Sequence, residues 1–294
     1  MRMMMFMMCF AATIAGVVQA GEWELAWSEE FDYEGLPDKN KWDYEEGFIR
    51  NQEMQYYTRA RQENVRVENG LLIIEGRQEG FSNPKYQPNA KSWQGQRQVA
   101  HYTSGSINTL GKVAFQYGRL EVRAKMPQGK GMWPAIWMMG TNRTDVGWPR
   151  CGEIDIMEYV GKDPHRIHAN NHFANPKIKD KSLRGKAVHK SAGGGKITIN
   201  EPYKEFHVYA IEWGKREINF FVDDNRYATF NIDTAGKGPD NPFRKPHYLL
   251  LNLAIGGSWG GKVDDGVLPQ KYEIDYVRYY KPKTGQQTDS GDGK

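Results

Sequence analysis

Gly118-Arg119-Leu120-Glu121-Val122-Arg123-Ala124-Lys125 alternates with a period of two. Leu120, Val122 and Ala124, continued by Met126, fall on one side, and Arg119, Glu121, Arg123 and Lys125 on the other. Successive strand side chains point to opposite faces, so the stretch predicts a strand with one apolar and one charged face. The same period recurs along the chain. Val65 and Val67 lead into Asn69-Gly70, and Leu71-Leu72-Ile73-Ile74 follows, which reads as a hairpin. Ile218, Phe220 and Val222 alternate into the turn Asp223-Asp224-Asn225, and Tyr272, Ile274, Tyr276 and Val277 close the series. No sustained helical period interrupts residues 21–280. Many short strands separated by Gly, Asn and Pro turns predict an all-β sandwich. A single domain over residues 21–281, without internal repeats, is the economical division.

Of the 294 residues 39% are hydrophobic, enough for a buried core and too many for a disordered chain. Aromatics make up 13%, with nine Trp and sixteen Tyr. Their flat apolar faces with polar edges suit sugar rings, and equally suit strands. The net charge of +4 is too small over this length to argue a nucleic-acid partner. The largest basic run (Lys177, Lys179, Lys181, Arg184, Lys186, Lys190) reads as a solvated loop that could also steer an anionic polymer. Residues 1–20 have a basic start, an apolar run and small residues at Val18 and Ala20, the pattern of a secretory signal peptide cleaved before Gly21. Cleavage removes Cys9 and leaves Cys151 alone, so no intrachain disulfide is expected. No later stretch is long and apolar enough for a membrane helix, so the mature chain is expected to be a soluble, secreted or periplasmic monomer. Residues 282–294 turn polar and Gly-rich and predict a disordered tail.

Chemistry concentrates in Gly152-Glu153-Ile154-Asp155-Ile156-Met157-Glu158. Glu153 and Asp155 share a strand face, with Ile154 and Ile156 opposite. Glu158, five residues after Glu153, falls on the wrong face unless a β-bulge near Met157 adds a residue. Crowded carboxylates raise one another's pKa, and a strand gains nothing structural from them. Retaining glycosidases use such crowding, with two carboxyls roughly 5–5.5 Å apart across the scissile bond. Four strand steps span about 13 Å at about 3.3 Å each, and leaning Glu side chains close most of the remainder. The rival readings are a metal site and a solvated acidic face. Calcium prefers loops rich in oxygen ligands, whereas these acids alternate with Ile and Met.

The motif resembles that of glycoside hydrolase family 16. The strand 118–125 also resembles that family, as do Gly131-Met132-Trp133-Pro134-Ala135-Ile136-Trp137-Met138, Asn252-Leu253-Ala254-Ile255-Gly256-Gly257 with Trp259, and Ile274-Asp275-Tyr276-Val277-Arg278. The resemblance covers roughly residues 24–281. It implies a β-jelly-roll of two curved antiparallel sheets with a sugar-binding concave cleft, and a retaining double displacement. Glu153 matches the nucleophile, Asp155 the assisting acid and Glu158 the general acid/base. Within that family the residue inserted at Met157 is typical of the laminarinase, agarase and carrageenase branches, and the Trp-bearing segments look most like laminarinases, endo-β-1,3-glucanases. The alternatives are an enzyme of mixed-linkage glucan or of a red-algal galactan, and a non-catalytic glucan-binding protein, which the retained Glu153 and Glu158 oppose. A sulfated galactan would need Arg or Lys in the cleft itself.

Trp133, Trp137, Trp148 and Trp259 are the candidates for stacking on sugar rings, with core packing the competing role, above all for Trp137. His165, His168 and His172 invite a zinc reading that their spacing does not support. The resemblance instead places His172 in the cleft near the acid/base, and Asn51 and Glu53 along its lining. Catalysis is expected to need no cofactor. The resemblance further implies a structural calcium far from the chemistry, held by backbone oxygens of Glu30 and Gly70 and by the Asp275 side chain.

Overall fold

A computed structural model describes residues 23–178 and 188–283. The expected signal segment 1–20, residues 179–187 of the basic run and residues 284–294 of the expected tail lie outside them. The strands in chain order are β1 (Trp23–Glu29), β2 (Asp43–Tyr44), β3 (Gln55–Tyr57), β4 (Val65–Glu68), β5 (Leu71–Ser82), β6 (Val99–Ser104), β7 (Ser106–Asn108), β8 (Gly118–Lys125) and β9 (Met132–Gly140). They continue as β10 (Glu153–Tyr159), β11 (Arg166–Ala174), β12 (His189–Ser191), β13 (Gly195–Thr198), β14 (His207–Trp213), β15 (Glu217–Val222), β16 (Asn225–Asn231), β17 (His247–Ile255) and β18 (Gln270–Pro282). Three one-turn helices interrupt them: α1 (Trp93–Gln96), α2 (Arg143–Val146) and α3 (Gly257–Gly260). The last strand includes Pro282, which pairs with Trp23.

Two sheets form. The ten-stranded sheet runs β16-β15-β14-β8-β18-β5-β6-β3, with β1 on β18 and β4 on β5. The eight-stranded sheet runs β12-β11-β10-β9-β17-β7-β2, with β13 on β11. Alternation explains the core between them. Leu120, Val122 and Ala124 of β8 join Leu72, Ile74, Tyr209, Ile211 and Ile274 from the first sheet. Ile136 and Met138 of β9, Ile154 of β10 and Leu249, Leu251 and Leu253 of β17 meet them from the second. The β4–β5 hairpin is as expected: Glu68 pairs with Leu71, and both Asn69 and Gly70 take positive φ, 54° and 75°. That geometry matches the right-handed twist of the two strands.

Part of the charged face of β8 is buried. Arg119 and Glu121 are buried, at 8% and 1% exposure. β8 is flanked by β14 and β18, which bring Glu212 to Arg119 and Asp275 to Arg123. Arg119 pairs with Glu121 and Glu212 and lies over the Phe221 ring, and Arg123 lies over Phe206. Guanidinium planes stacked on aromatic faces thus roof this side of the sheet.

Candidate active site

The outward face of the eight-stranded sheet carries a cleft of about 310 Å³. Residues of β9, β10 and β17 that point away from the core line it: Trp133, Ala135, Trp137 and Met139, then Glu153, Asp155 and Glu158, then Asn252 and Ala254. The bulge is what brings Glu158 there. Asp155 lies opposite Trp137, yet Met157 lies opposite Ile136 and Glu158 opposite Ala135. Ile156 is therefore the extra residue, one place before the expected position, and both Ile156 and Met157 enter the core. Across β11 the same shift sets Glu153 opposite His172 and Glu158 opposite His168.

Each carboxylate has its own partner. Trp148 Nε1 donates to Glu153 Oε2 at 2.8 Å, and Trp133 Nε1 donates to Glu158 Oε1 at 3.1 Å. His172 Nε2 lies 3.0 Å from Asp155 Oδ2 and 3.9 Å from Glu153 Oε1. Asp155 Oδ2 stays buried with no hydrogen bond completed to it. Burial is the main force on the three acids. It pushes Glu153 up to about 7, with the neighbouring Asp155 adding to it and His172, Trp148 and Arg50 opposing. Asp155 is raised by burial as well. Glu158 is pushed well above the usual carboxylate range by burial, then by Asp155 and Glu153. Three buried acids in one row cannot all ionise near neutral pH, and burial with two acidic neighbours sets Glu158 strongly toward its protonated form. One row thus holds an acid set strongly toward its protonated form and a second carboxyl, less strongly raised, that gives up its proton more readily, the pairing that acid–nucleophile chemistry needs.

The other expected residues divide. Trp148, 46% exposed, stands at the rim. Trp137 is floor rather than platform: its Nε1 donates to Asn252 Oδ1 at 2.7 Å, and the Arg50 guanidinium covers its ring at 4.9 Å. Trp259 packs edge-on to Trp133 at 5.4 Å and meets His168 at 5.1 Å. Asn51 and Glu53 do line the cleft, from the segment before β3. Glu53 accepts from Gln55 Nε2 (2.8 Å) and Asn51 Nδ2 (3.3 Å), and the Ser258 N–H holds the Asn51 carbonyl at 2.8 Å. His168 and His172 face the same way along β11, but one meets Trp259 and the other Asp155, so they do not converge on a metal. Glu153, Asp155 and His172 do place ligand-capable atoms within 4.8 Å of one another, a spacing that a cation could also use. Glu30, Gly70 and Asp275 come to one flank of the ten-stranded sheet, where Glu29 pairs with Val277 and Leu72 with Ile274. There Asp275 is paired with Arg123, and Glu30 holds Arg278 through both carboxylate oxygens. Of the expected donors the Asp275 side chain is thus committed to a guanidinium group, and a calcium there requires the Arg123–Asp275 pair to open.

A family model described as "Glycosyl hydrolases family 16" matches residues 52–278. The chain belongs to glycosyl hydrolase family 16. Its match to a β-glucanase of Rhodothermus marinus is 43% identical over 276 residues, covering 90% of this chain and 87% of that protein. The structure of the laminarinase from Rhodothermus marinus superposes with a TM-score of 0.73 at 43% identity, covering 88% of this chain and 98% of that one. A structure reported with endo-acting O-glycanases of the human gut microbiota that initiate mucin breakdown superposes with a TM-score of 0.81 at 38% identity, covering 90% of this chain and 92% of that one. This family-16 glycoside hydrolase thus has the two-sheet jelly roll that its motifs implied. No helix among its described residues is long and apolar enough to cross a membrane.

Four contributors to the site escaped the sequence reading. Arg50 covers Trp137 while paired with Glu45, and Asn252 links Trp137 to the Tyr57 hydroxyl, its Nδ2 donating at 2.9 Å. Arg143, exposed on α2, lines the cleft and bonds Tyr248. His189 meets His172. None stands in a motif, and only Asn252 lies in a segment carrying the family resemblance.

Proposed function

We propose that the protein is an endo-acting hydrolase of β-1,3-glucan that works by retaining double displacement, as a secreted monomer. The observation that carries this reading is the bulge at Ile156, which sets Glu153, Asp155 and Glu158 on one cleft face with unequal hold on their protons. Glu153, steadied as an anion by Trp148, His172 and Arg50, attacks the anomeric carbon. The glycosidic C–O bond breaks, and Glu158 gives its proton to the leaving oxygen. A glycosyl ester on Glu153 remains. Glu158, now a carboxylate, then takes a proton from the water that attacks the same carbon, which frees Glu153 and restores Glu158. Asp155, between them, lends or takes hydrogen bonding as the charge moves. The choice of β-1,3-glucan rests on the kinship with the Rhodothermus marinus enzyme.

Two inversions give retention. NMR of the first products from laminarin should show β-anomeric reducing ends before mutarotation. An α-anomer appearing first would require carboxyls at roughly 6.5–9.5 Å with water attacking directly, and would sink both the bulge argument and the mechanism.

A second reading is a hydrolase of mucin-type glycans, favoured by the 0.81 superposition. Arg143 on the cleft wall also keeps anionic polymers in contention. A reducing-sugar assay over laminarin, lichenan, agarose, carrageenan and mucin separates these. Release should be fastest from laminarin; release from mucin with none from either glucan would replace the first reading by the second. Export through residues 1–20 fits an enzyme whose polymeric substrate stays outside the cell, and N-terminal sequencing of the mature protein should begin at Gly21. The calcium at Glu30, Gly70 and Asp275 is proposed on the resemblance alone. Its mark is a Tm that rises when calcium is restored after chelation.

A further inference from the structure

Beside the carboxylate row stands a pair of imidazoles. His172 turns Nε2 to Asp155 at 3.0 Å, and its Nδ1 lies 2.7 Å from Nε2 of His189. The two rings stack, with centroids 4.9 Å apart and planes at 20°. His189 comes from β12, where it pairs with Ala174, the neighbour two places along β11 from His172 and on the same face. Its other side lies 4.7 Å from the ring of Trp148, the residue whose Nε1 holds Glu153. A continuous chain of contacts results: Glu153 to Trp148, Trp148 to His189, His189 to His172, and His172 to Asp155.

A neutral imidazole has one N–H, and the partner of one ring nitrogen decides which nitrogen carries it. A 2.7 Å contact between two ring nitrogens requires one to donate and the other to accept, and burial, then the neighbouring His172, holds His189 below the usual imidazole value. On the inner side Asp155 Oδ2 is buried with no hydrogen bond completed to it. We propose that His189 is a positioning residue of this active site: its Nε2–H donates to His172 Nδ1, so that His172 carries its proton on Nε2 and presents that N–H to Asp155 and Glu153. With the opposite tautomer a lone pair would face the row and oppose the ionised form of both acids. The inference rests on the catalytic reading of Glu153 and Asp155. It assigns to β12 a part in the chemistry.

Two variants separate the hydrogen bond from the ring. His189→Phe keeps a flat ring against Trp148 and has no N–H. His189→Gln keeps a donor and loses the ring. Each is assayed for kcat and KM on the polymer that the wild type cleaves fastest. Each is also examined by ¹⁵N NMR of histidine-labelled protein, which reads the tautomer of His172 while the other imidazole signals report the fold. We expect His189→Phe to lower kcat about tenfold with KM within about twofold, a factor that equals about 1.4 kcal/mol, the scale of one hydrogen bond. His172 should then lose its single Nε2–H tautomer. His189→Gln should recover kcat to within about threefold of wild type and keep that tautomer. An unchanged tautomer in His189→Phe, wild-type kcat in that variant, or equal losses in both variants would each overturn the proposal. A wild type that cleaves no polymer would instead defeat the hydrolase reading, and the NMR arm would still decide whether His189 sets the tautomer.

Discussion

Glu153→Gln is expected to reduce turnover of laminarin by at least about 10³-fold while leaving the fold and oligosaccharide binding intact. The amide is nearly isosteric, and its oxygen can still accept from Trp148 Nε1, which lies 2.8 Å from the present carboxylate. It cannot attack the anomeric carbon. Activity within tenfold of wild type, in a preparation free of contaminating glucanase, would remove Glu153 from the nucleophile role. The same variant should be more stable than wild type, in a pH-dependent way. In the folded chain Glu153 is raised from 4.5 to about 7, chiefly by burial. A carboxyl raised on folding contributes its stability below the unfolded pKa and loses it as pH rises through the folded one. At pH 8 the wild type therefore carries the strain of ionising a buried row, and at pH 4 it does not. Gln removes that difference, so the gain in Tm should be larger at pH 8 than at pH 4. The scale is about 2–4 °C per kcal/mol for a domain of this size. A gain independent of pH would mean that Glu153 is not raised by its surroundings.

Glu158→Ala is expected to split by leaving group. On laminarin, whose leaving oxygen needs a proton, the rate should fall about 10²–10⁴-fold. On an aryl β-glucoside oligomer with an activated phenol, the first displacement needs little protonation and should survive. Azide added to that reaction should accelerate turnover, since it attacks the glycosyl ester without the base that Glu158 supplied. Its product should be a β-glycosyl azide. The pH profile gives an independent mark. Glu158 is held protonated far above the usual carboxylate range by burial and by Asp155 and Glu153, so its loss of a proton sets the alkaline limb in the wild type. On the aryl substrate that limb should vanish in the variant. Equal losses on both substrates, with no azide effect, would assign the acid/base role elsewhere.

Much of this molecule is written locally. The two-residue period of 118–125 predicts β8, and Asn69-Gly70 predicts a hairpin with both turn residues at positive φ, because face alternation and turn conformation depend on near neighbours. The six residues from Glu153 to Glu158 also carry their own requirement. Only an inserted residue turns Glu158 to the face of Glu153, and register with β9 places it at Ile156. Other features were decided by strand order and register. Arg119 and Glu121 of β8 are buried because β14 and β18 flank the strand and aromatic side chains roof it, which no pattern within 118–125 encodes. Trp133 and Trp137 are both candidate sugar platforms, with core packing the stronger rival for Trp137; Arg50, 87 positions away, covers Trp137, and Glu158 takes the indole N–H of Trp133. His189 lies within a basic stretch that reads as solvated loop, and only the pairing of β11 with β12 sets it against His172. The unequal hold on protons within the carboxylate row likewise belongs to the tertiary structure. Alternation decides which way a side chain points, but its proton affinity depends on how deeply the cleft buries it and on charges and N–H donors brought in from other segments.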